Sequence, residues 1–286
     1  LADLEGKTVV LTGGASGIGA KAAARLAALG ASLILVGRNR ARGEAMPRSL
    51  RSLQRGGAEP RILYGDLSLQ REVRRVAGEI AALAPRIDVL VNNAGAIFDE
   101  YRETEEGLER TFALNHMGYF LLTGLLLGQL RAAAPSRIVV VASEAHRGAK
   151  LDFADLQTRR AFRAWRAYRR SKLANILFTR ELARRLEGSG VTANALHPGF
   201  VASGFGDNNR LLFSAGLGLA KRLLAITPEA AAETIVDLAS GPAGAAGSGE
   251  YYVSRRRAVP SAAARDDEAA RRLWEESARL AGLDPA

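Results

Sequence analysis

Short, largely apolar runs recur along this 286-residue chain, separated by longer Ala-, Leu- and Arg-rich stretches. The runs are Thr8-Val9-Val10-Leu11, Leu33-Ile34-Leu35-Val36, Arg61 to Tyr64, Asp88 to Asn92, Ile138 to Ala142, Val191 to Leu196 and Gly249 to Val253. A strand that is apolar on both sides must be covered on both sides. Helical segments lie between the runs, so the pattern predicts an α/β fold: a doubly wound (Rossmann) parallel sheet with helices on both faces. The helical segments read Gly19 to Leu29, closed by Gly30; Arg40 to Gln54, interrupted at Pro47; Gln70 to Leu83; Glu105 to Leu130; Ala167 to Glu187; and Asp266 to Leu280. One domain over 1–286 is expected, with a surface loop from Ser240 to Gly249. A Gly-rich segment at about 200–225 is expected to cover the substrate.

Composition removes several functions. The chain has no cysteine, which excludes disulfides, thiolate chemistry and Cys-based zinc sites and fits a cytoplasmic location. His116, His146 and His197 are scattered without metal-ligand spacing, so no metal is expected. The net charge is +10, but lysine is rare and arginine is spread along the chain among acidic residues, so no nucleic-acid partner is expected. No secretory signal is visible, and the longest apolar stretch, Tyr119 to Leu130, is broken by Gly124, Gly128 and Gln129. It is too short to span a bilayer, so no transmembrane segment is expected.

Directly after the first run comes Thr12-Gly13-Gly14-Ala15-Ser16-Gly17-Ile18-Gly19. Glycines in a strand-to-helix turn let backbone N–H groups approach a pyrophosphate at the positive end of the helix. No Gly-Lys-Ser/Thr follows, which argues against a P-loop. The second run ends at Gly37-Arg38, where an NAD site usually carries an acidic residue for the ribose. A guanidinium can pair with a 2′-phosphate, so NADP(H) is favoured over NAD(H); a merely solvated arginine is the other reading. Asp66, followed by Leu67, can accept from an adenine amino group or serve as a turn or cap.

Tyr168 and Lys172 are four residues apart and share a helix face. An ammonium beside a phenol favours phenolate; moving a tyrosine from about 10 towards 7 needs roughly 4 kcal/mol. Ser143, ending the fifth run, can polarise a carbonyl oxygen, and Asn115 can anchor a water that passes protons to Lys172. Asn92-Asn93-Ala94-Gly95 ends another run with residues small enough for close cofactor approach. Each has a plainer reading: a cap for Ser143, a helix kink for Asn115, a turn for Asn92 and Asn93.

Together these residues resemble the short-chain dehydrogenase/reductase family over nearly the whole chain. The resemblance rests on the Gly13–Gly19 turn, Asn92-Asn93-Ala94-Gly95, Asn115, Ser143, Tyr168-x-x-x-Lys172 and Pro198-Gly199. It implies a catalytic tetrad of Asn115, Ser143, Tyr168 and Lys172. It also implies cofactor contacts from Thr12, Gly13, Ser16, Gly17, Ile18, Gly19, Arg38, Asp66, Leu67, Asn93, Ala94, Gly95, Tyr168, Lys172, Pro198, Gly199, Val201 and Ser203. Leu114-Asn115-His116-Met117-Gly118-Tyr119, Ser171-Lys172-Leu173-Ala174-Asn175 and Leu273-Trp274-Glu275-Glu276-Ser277 resemble the retinol dehydrogenase and WW-domain oxidoreductase branch. Ala142 and Gly14 depart from the common pattern.

The implied function is NADP(H)-dependent hydride transfer to or from a carbonyl or alcohol carbon. Phe153, Trp165, Phe200 and Phe205 hint at a bulky apolar substrate or are simply core. A biosynthetic ketoreductase and a catalytically silent NADP-binding sensor or scaffold are the alternatives. A homodimer through the helices carrying Asn115 and Tyr168 is a further implication.

Overall fold

The computed structural model describes residues 1–200 and 226–284. One sheet of eight strands runs in the order β3-β2-β1-β4-β5-β6-β7-β8. The strands are β1 Thr8–Thr12, β2 Ser32–Gly37, β3 Arg61–Tyr64, β4 Val89–Asn92, β5 Ser136–Val141, β6 Val191–His197, β7 Tyr251–Val253 and β8 Arg256–Ala258. All neighbours pair parallel except β7 with β8. The doubly wound arrangement expected from the apolar runs is therefore present, with one antiparallel edge strand that the sequence reading did not include.

Successive residues on a strand point to opposite faces. Val10 packs with one core and Val9 and Leu11 with the other. The first core is closed by α4 (Gln70–Leu83), α6 (Gly118–Ala132) and α7 (Ala164–Arg185), together with the C-terminal helix. The second is closed by α1 (Gly17–Ala28) and α8 (Pro228–Ser240). Between β2 and β3 lie the short α2 (Arg40–Gly43) and α3 (Met46–Arg51), the latter beginning where Pro47 can sit in a first turn.

Helix α8 is absent from the sequence reading, although its start carries a signal. Thr227 caps the helix by accepting from the Ala230 N–H, Pro228 follows, and Glu229 lies in the first turn. The expected loop from Ser240 to Gly249 contains one helical turn, α9 (Ala243–Ala246). The expected helix from Glu105 begins only at α5 (Arg110–Phe112), because the buried Glu109 carboxylate accepts from the Thr111 and Phe112 N–H groups and fixes the start there. A π-helical turn, Ala113–Met117, then leads into α6.

The last helix, α10 (Asp267–Ala281), lies across α7 and closes the first core. Trp274 meets Phe120 edge-on with centroids 4.9 Å apart and stacks on Phe178 at 6.0 Å. Ser277 Oγ is 2.8 Å from His116 Nε2. The chain's own C-terminal helix thus packs on both α6 and α7. Val201, Ser203, Phe205 and the rest of 201–225, most of the expected covering segment, lie outside the described residues.

Candidate active site

The carboxyl ends of β1, β4, β5 and β6 carry, in order, the glycine turn, Asn92 to Gly95, Ser143 and His197 to Gly199. Parallel strands put these four loops on one edge of the sheet, where doubly wound folds bind ligands.

The glycine turn is shaped by close approach. Gly13 has φ +69°, and a Cβ there would meet Asn93 Nδ2 at 2.8 Å. A Cβ on Gly19 would fall 2.2 Å from the Gly13 carbonyl oxygen, so the first turn of α1 can pack on the loop only without a side chain. Gly17, at φ +54°, has nothing within 4 Å of where a Cβ would project, so any side chain would enter the open cradle. Ser16 caps α1 without spending its hydroxyl on the helix. An open cradle lined by backbone at a helix N-terminus, with a hydroxyl that the helix does not use, fits a pyrophosphate.

Thr12 has a different task from that of a solvent-facing ligand. Its buried Oγ1 donates to the Val91 carbonyl at 3.3 Å and accepts from the Asn93 and Ala94 N–H groups at 2.9 and 3.0 Å. Asn93 Nδ2 returns to the Thr12 carbonyl at 2.9 Å. These bonds lock the glycine turn to the Asn93-Ala94-Gly95 loop. Arg38 lies at the end of β2 with its Nη1 3.8 Å from Asp66 Oδ2, and both side chains reach solvent. Asp66 Oδ1 also accepts from the Ser68 N–H and hydroxyl, so its turn role is real, while Oδ2 faces Arg38. Leu67 is buried, its carbonyl 2.7 Å from where a Gly118 Cβ would lie.

Ser143, Tyr168 and Lys172 come together. Tyr168 and Lys172 are buried on α7, facing β5. The Tyr168 phenol hydrogen-bonds the Ser143 hydroxyl, which pulls its pKa down, while burial outweighs this and pushes it up to about 12. Lys172 Nζ donates to the Val141 carbonyl at 2.9 Å. Burial alone lowers its pKa to about 7. The ammonium lies 5.8 Å from the Tyr168 ring centroid and 5.7 Å from that of Tyr119.

Asn115 sits in the π turn with both amide N–H donors engaged. Oδ1 accepts from the Ala96 N–H at 2.9 Å, and Nδ2 donates to the Ala96 carbonyl at 2.9 Å and to Ser171 Oγ at 3.0 Å. Ser171 in turn donates to the Tyr168 carbonyl at 2.8 Å. The side chain thus ties the loop after β4 to α7. Its Oδ1 keeps a second lone pair, and a Cβ on Gly95 would meet both this oxygen, at 3.2 Å, and Lys172 Nζ, at 3.5 Å.

His146 was not singled out as a site residue by sequence reasoning, yet it fixes Ser143. Its Nε2 accepts from the Ser261 N–H at 3.1 Å, so Nδ1 carries the proton and donates to the Ser143 carbonyl at 2.7 Å. Burial lowers its pKa and favours the neutral ring. Pro198 and Gly199 follow β6, and Gly199, at φ +96°, lies against Ile226. Trp165 is 49% exposed and stacks on Tyr168 with centroids 5.6 Å apart. Phe153 is elsewhere, beneath Arg272 and against the first core. Among the described residues no three His, Asp or Glu side chains could hold a metal ion, and no helix is long and apolar enough to cross a membrane.

Residues 7–211 match the family model for short chain dehydrogenases. The chain is 43% identical to retinol dehydrogenase 14 of Mus musculus over 98% of its own length and 87% of that protein's. It resembles a solved structure of an uncharacterised protein from Mycobacterium paratuberculosis with TM-score 0.80 and 31% identity, covering 100% of this chain and 97% of that one. The RhlG/NADP complex of Pseudomonas aeruginosa matches with TM-score 0.71 and 25% identity over 92% of this chain and 98% of that one.

Proposed function

Because this chain belongs to the short-chain dehydrogenase/reductase family, in its retinol dehydrogenase branch, we propose that it is an NADP(H)-dependent carbonyl reductase or alcohol dehydrogenase acting on a bulky apolar substrate. The observation that carries this reading is the contact of the Tyr168 phenol with the Ser143 hydroxyl, with the Lys172 ammonium buried beside them on the edge that holds the glycine cradle.

The nicotinamide cofactor, when bound, supplies or accepts the hydride at the substrate carbon. Ser143 and Tyr168 hold the carbonyl oxygen between two hydroxyl donors. Tyr168 gives its phenolic proton to that oxygen in reduction and takes it back in oxidation. Lys172, charged, lowers the cost of the phenolate left behind. Asn115 contributes by holding the Ala96 loop and α7 in register, and its Oδ1 keeps one acceptor site for a water that passes protons to Lys172.

Arg38 at the end of β2 supports NADP(H) over NAD(H), with its guanidinium turned to solvent where a 2′-phosphate would lie. The half-exposed Trp165, stacked on the catalytic ring, and Phe200, 51% exposed, support an apolar substrate body at the mouth of the site. The name of the retinol dehydrogenase relative points the same way.

A panel of apolar aldehydes, ketones and steroids, assayed with NADPH and with NADH, tests the proposal. Turnover with NADPH that drops by about 10²–10⁴-fold in Tyr168→Phe is the expected result. A variant that keeps turnover within a few-fold of the parent refutes it.

A further inference from the structure

Lys172 is a buried cation with no carboxylate partner among the described residues. Each element around it offers something else. β5 gives the Val141 carbonyl at 2.9 Å, which the Asn175 amide shares at 3.5 Å. The π turn gives Asn115, which binds Ala96 and whose Oδ1 borders Gly95, as the ammonium does. Its own helix gives Tyr168, and α6 gives Tyr119. The titratable groups shown near the ammonium are therefore two phenols.

Both phenols present ring faces, with centroids 5.7 Å (Tyr119) and 5.8 Å (Tyr168) from Nζ. A cation within about 6 Å of a ring centroid is attracted by the electron-rich face, and more strongly where water is excluded. Tyr119 is fully buried, and its hydroxyl has no hydrogen-bond partner among the described residues. A stranded hydroxyl contributes nothing favourable to packing. What the side chain offers Lys172 is its ring.

We propose that Tyr119 is a positioning residue of this site: its ring, set against that of Tyr168, clamps the Lys172 ammonium and keeps it charged beside the phenol. The catalytic meaning of the clamp rests on the reductase reading above; the clamp itself does not. It offsets part of the desolvation cost that burial places on the ammonium. It also leaves Lys172 without a fixed salt bridge that would compete with the phenolate.

The test is a ¹³Cε titration of lysine-labelled protein, with the Lys172 signal assigned by its loss in Lys172→Met. Five lysines keep the spectrum sparse. Tyr119→Leu removes the ring face and is expected to lower the Lys172 midpoint by about 1 pH unit. Tyr119→Phe keeps the face and is expected to leave the midpoint in place. 3,5-Difluorophenylalanine at position 119 keeps the shape but drains the face, and should move the midpoint part of the way. A folded Tyr119→Leu protein with an unmoved midpoint overturns the proposal. Should Tyr119→Leu fail to fold, a difluorophenylalanine midpoint equal to that of Tyr119→Phe overturns it instead. Where a carbonyl substrate is turned over, the pH limb of kcat should follow the Lys172 midpoint while KM stays fixed. If no carbonyl is turned over, the reductase reading falls and the titration still decides the clamp.

Discussion

Lys172 donates to the backbone carbonyl of Val141, the last residue of β5, at 2.9 Å. Two residues further along the chain is Ser143, so one strand end positions both the ammonium and the hydroxyl that meets Tyr168. The cost of this arrangement is a desolvated amine whose pKa falls to about 7.

That cost has a sign in pH. The folded amine titrates near 7 and the unfolded one near 10.5, so between these values the unfolded chain holds the extra proton. This side chain therefore destabilises the fold below pH 7, and the penalty fades as pH rises towards 10.5. Lys172→Met should be more stable than the parent at pH 6.5 in urea unfolding. The gap should narrow by about 1.4 kcal/mol per pH unit across that window. Parallel stability curves for the two proteins would contradict the assignment of burial as the cause.

The glycine turn separates binding from packing. Gly19→Ala places a methyl 2.2 Å from the Gly13 carbonyl oxygen and should both lower stability by about 1–3 kcal/mol and abolish tight NADPH binding. Gly17→Ala meets no atom within 4 Å, so its cost to the fold is the positive φ alone. It should weaken NADPH binding about tenfold or more by filling the cradle. Fluorescence titration with NADPH beside thermal unfolding distinguishes the two; equal effects of both variants on both readouts would count against the cradle.

Arg38 and Asp66 stand 3.8 Å apart at solvent. Arg38→Ala should weaken NADPH by about 10–100-fold, the worth of a charge-assisted contact to phosphate, and leave NADH nearly unchanged. Dissociation constants for both nucleotides check this. An equal loss for both would place the arginine on something other than the 2′-phosphate.

Trp274 holds α10 to α6 and α7 through Phe120 and Phe178, and also carries Arg185, whose guanidinium carbon lies 4.5 Å from its ring centroid. Trp274→Ala should cost roughly 2–4 kcal/mol in urea unfolding. It should also raise the mass seen by light scattering, because two aromatic rings lose their cover. A monodisperse variant of parental stability would show that α10 rests on other contacts.

The parts of this molecule visible in its sequence are those with a local cause. Continuous apolar runs need cover on both sides, and a glycine turn between a run and a helix needs close approach, so β1, β2, β4, β5, β6 and the cradle are readable from neighbours in the chain. The Tyr168 and Lys172 spacing is equally local. What stayed hidden depends on contacts distant in sequence. The Thr12 hydroxyl binds Val91, Asn93 and Ala94. The Asn115 amide binds Ala96 and Ser171. His146 reaches Ser261, and Tyr119 reaches Lys172. No spacing rule relates such pairs. Helix α8 was missed for another reason: its cap and proline are local signals, but its apolar face follows a segment without regular pattern.

The His116–Ser277 hydrogen bond joins residues 161 positions apart. His116 is next to Asn115 and fully buried, and burial lowers its pKa to about 4, so it needs that hydroxyl as a neutral ring. Order at the turn that carries Asn115 is therefore coupled to the docking of α10, a contact that spans more than half of the chain.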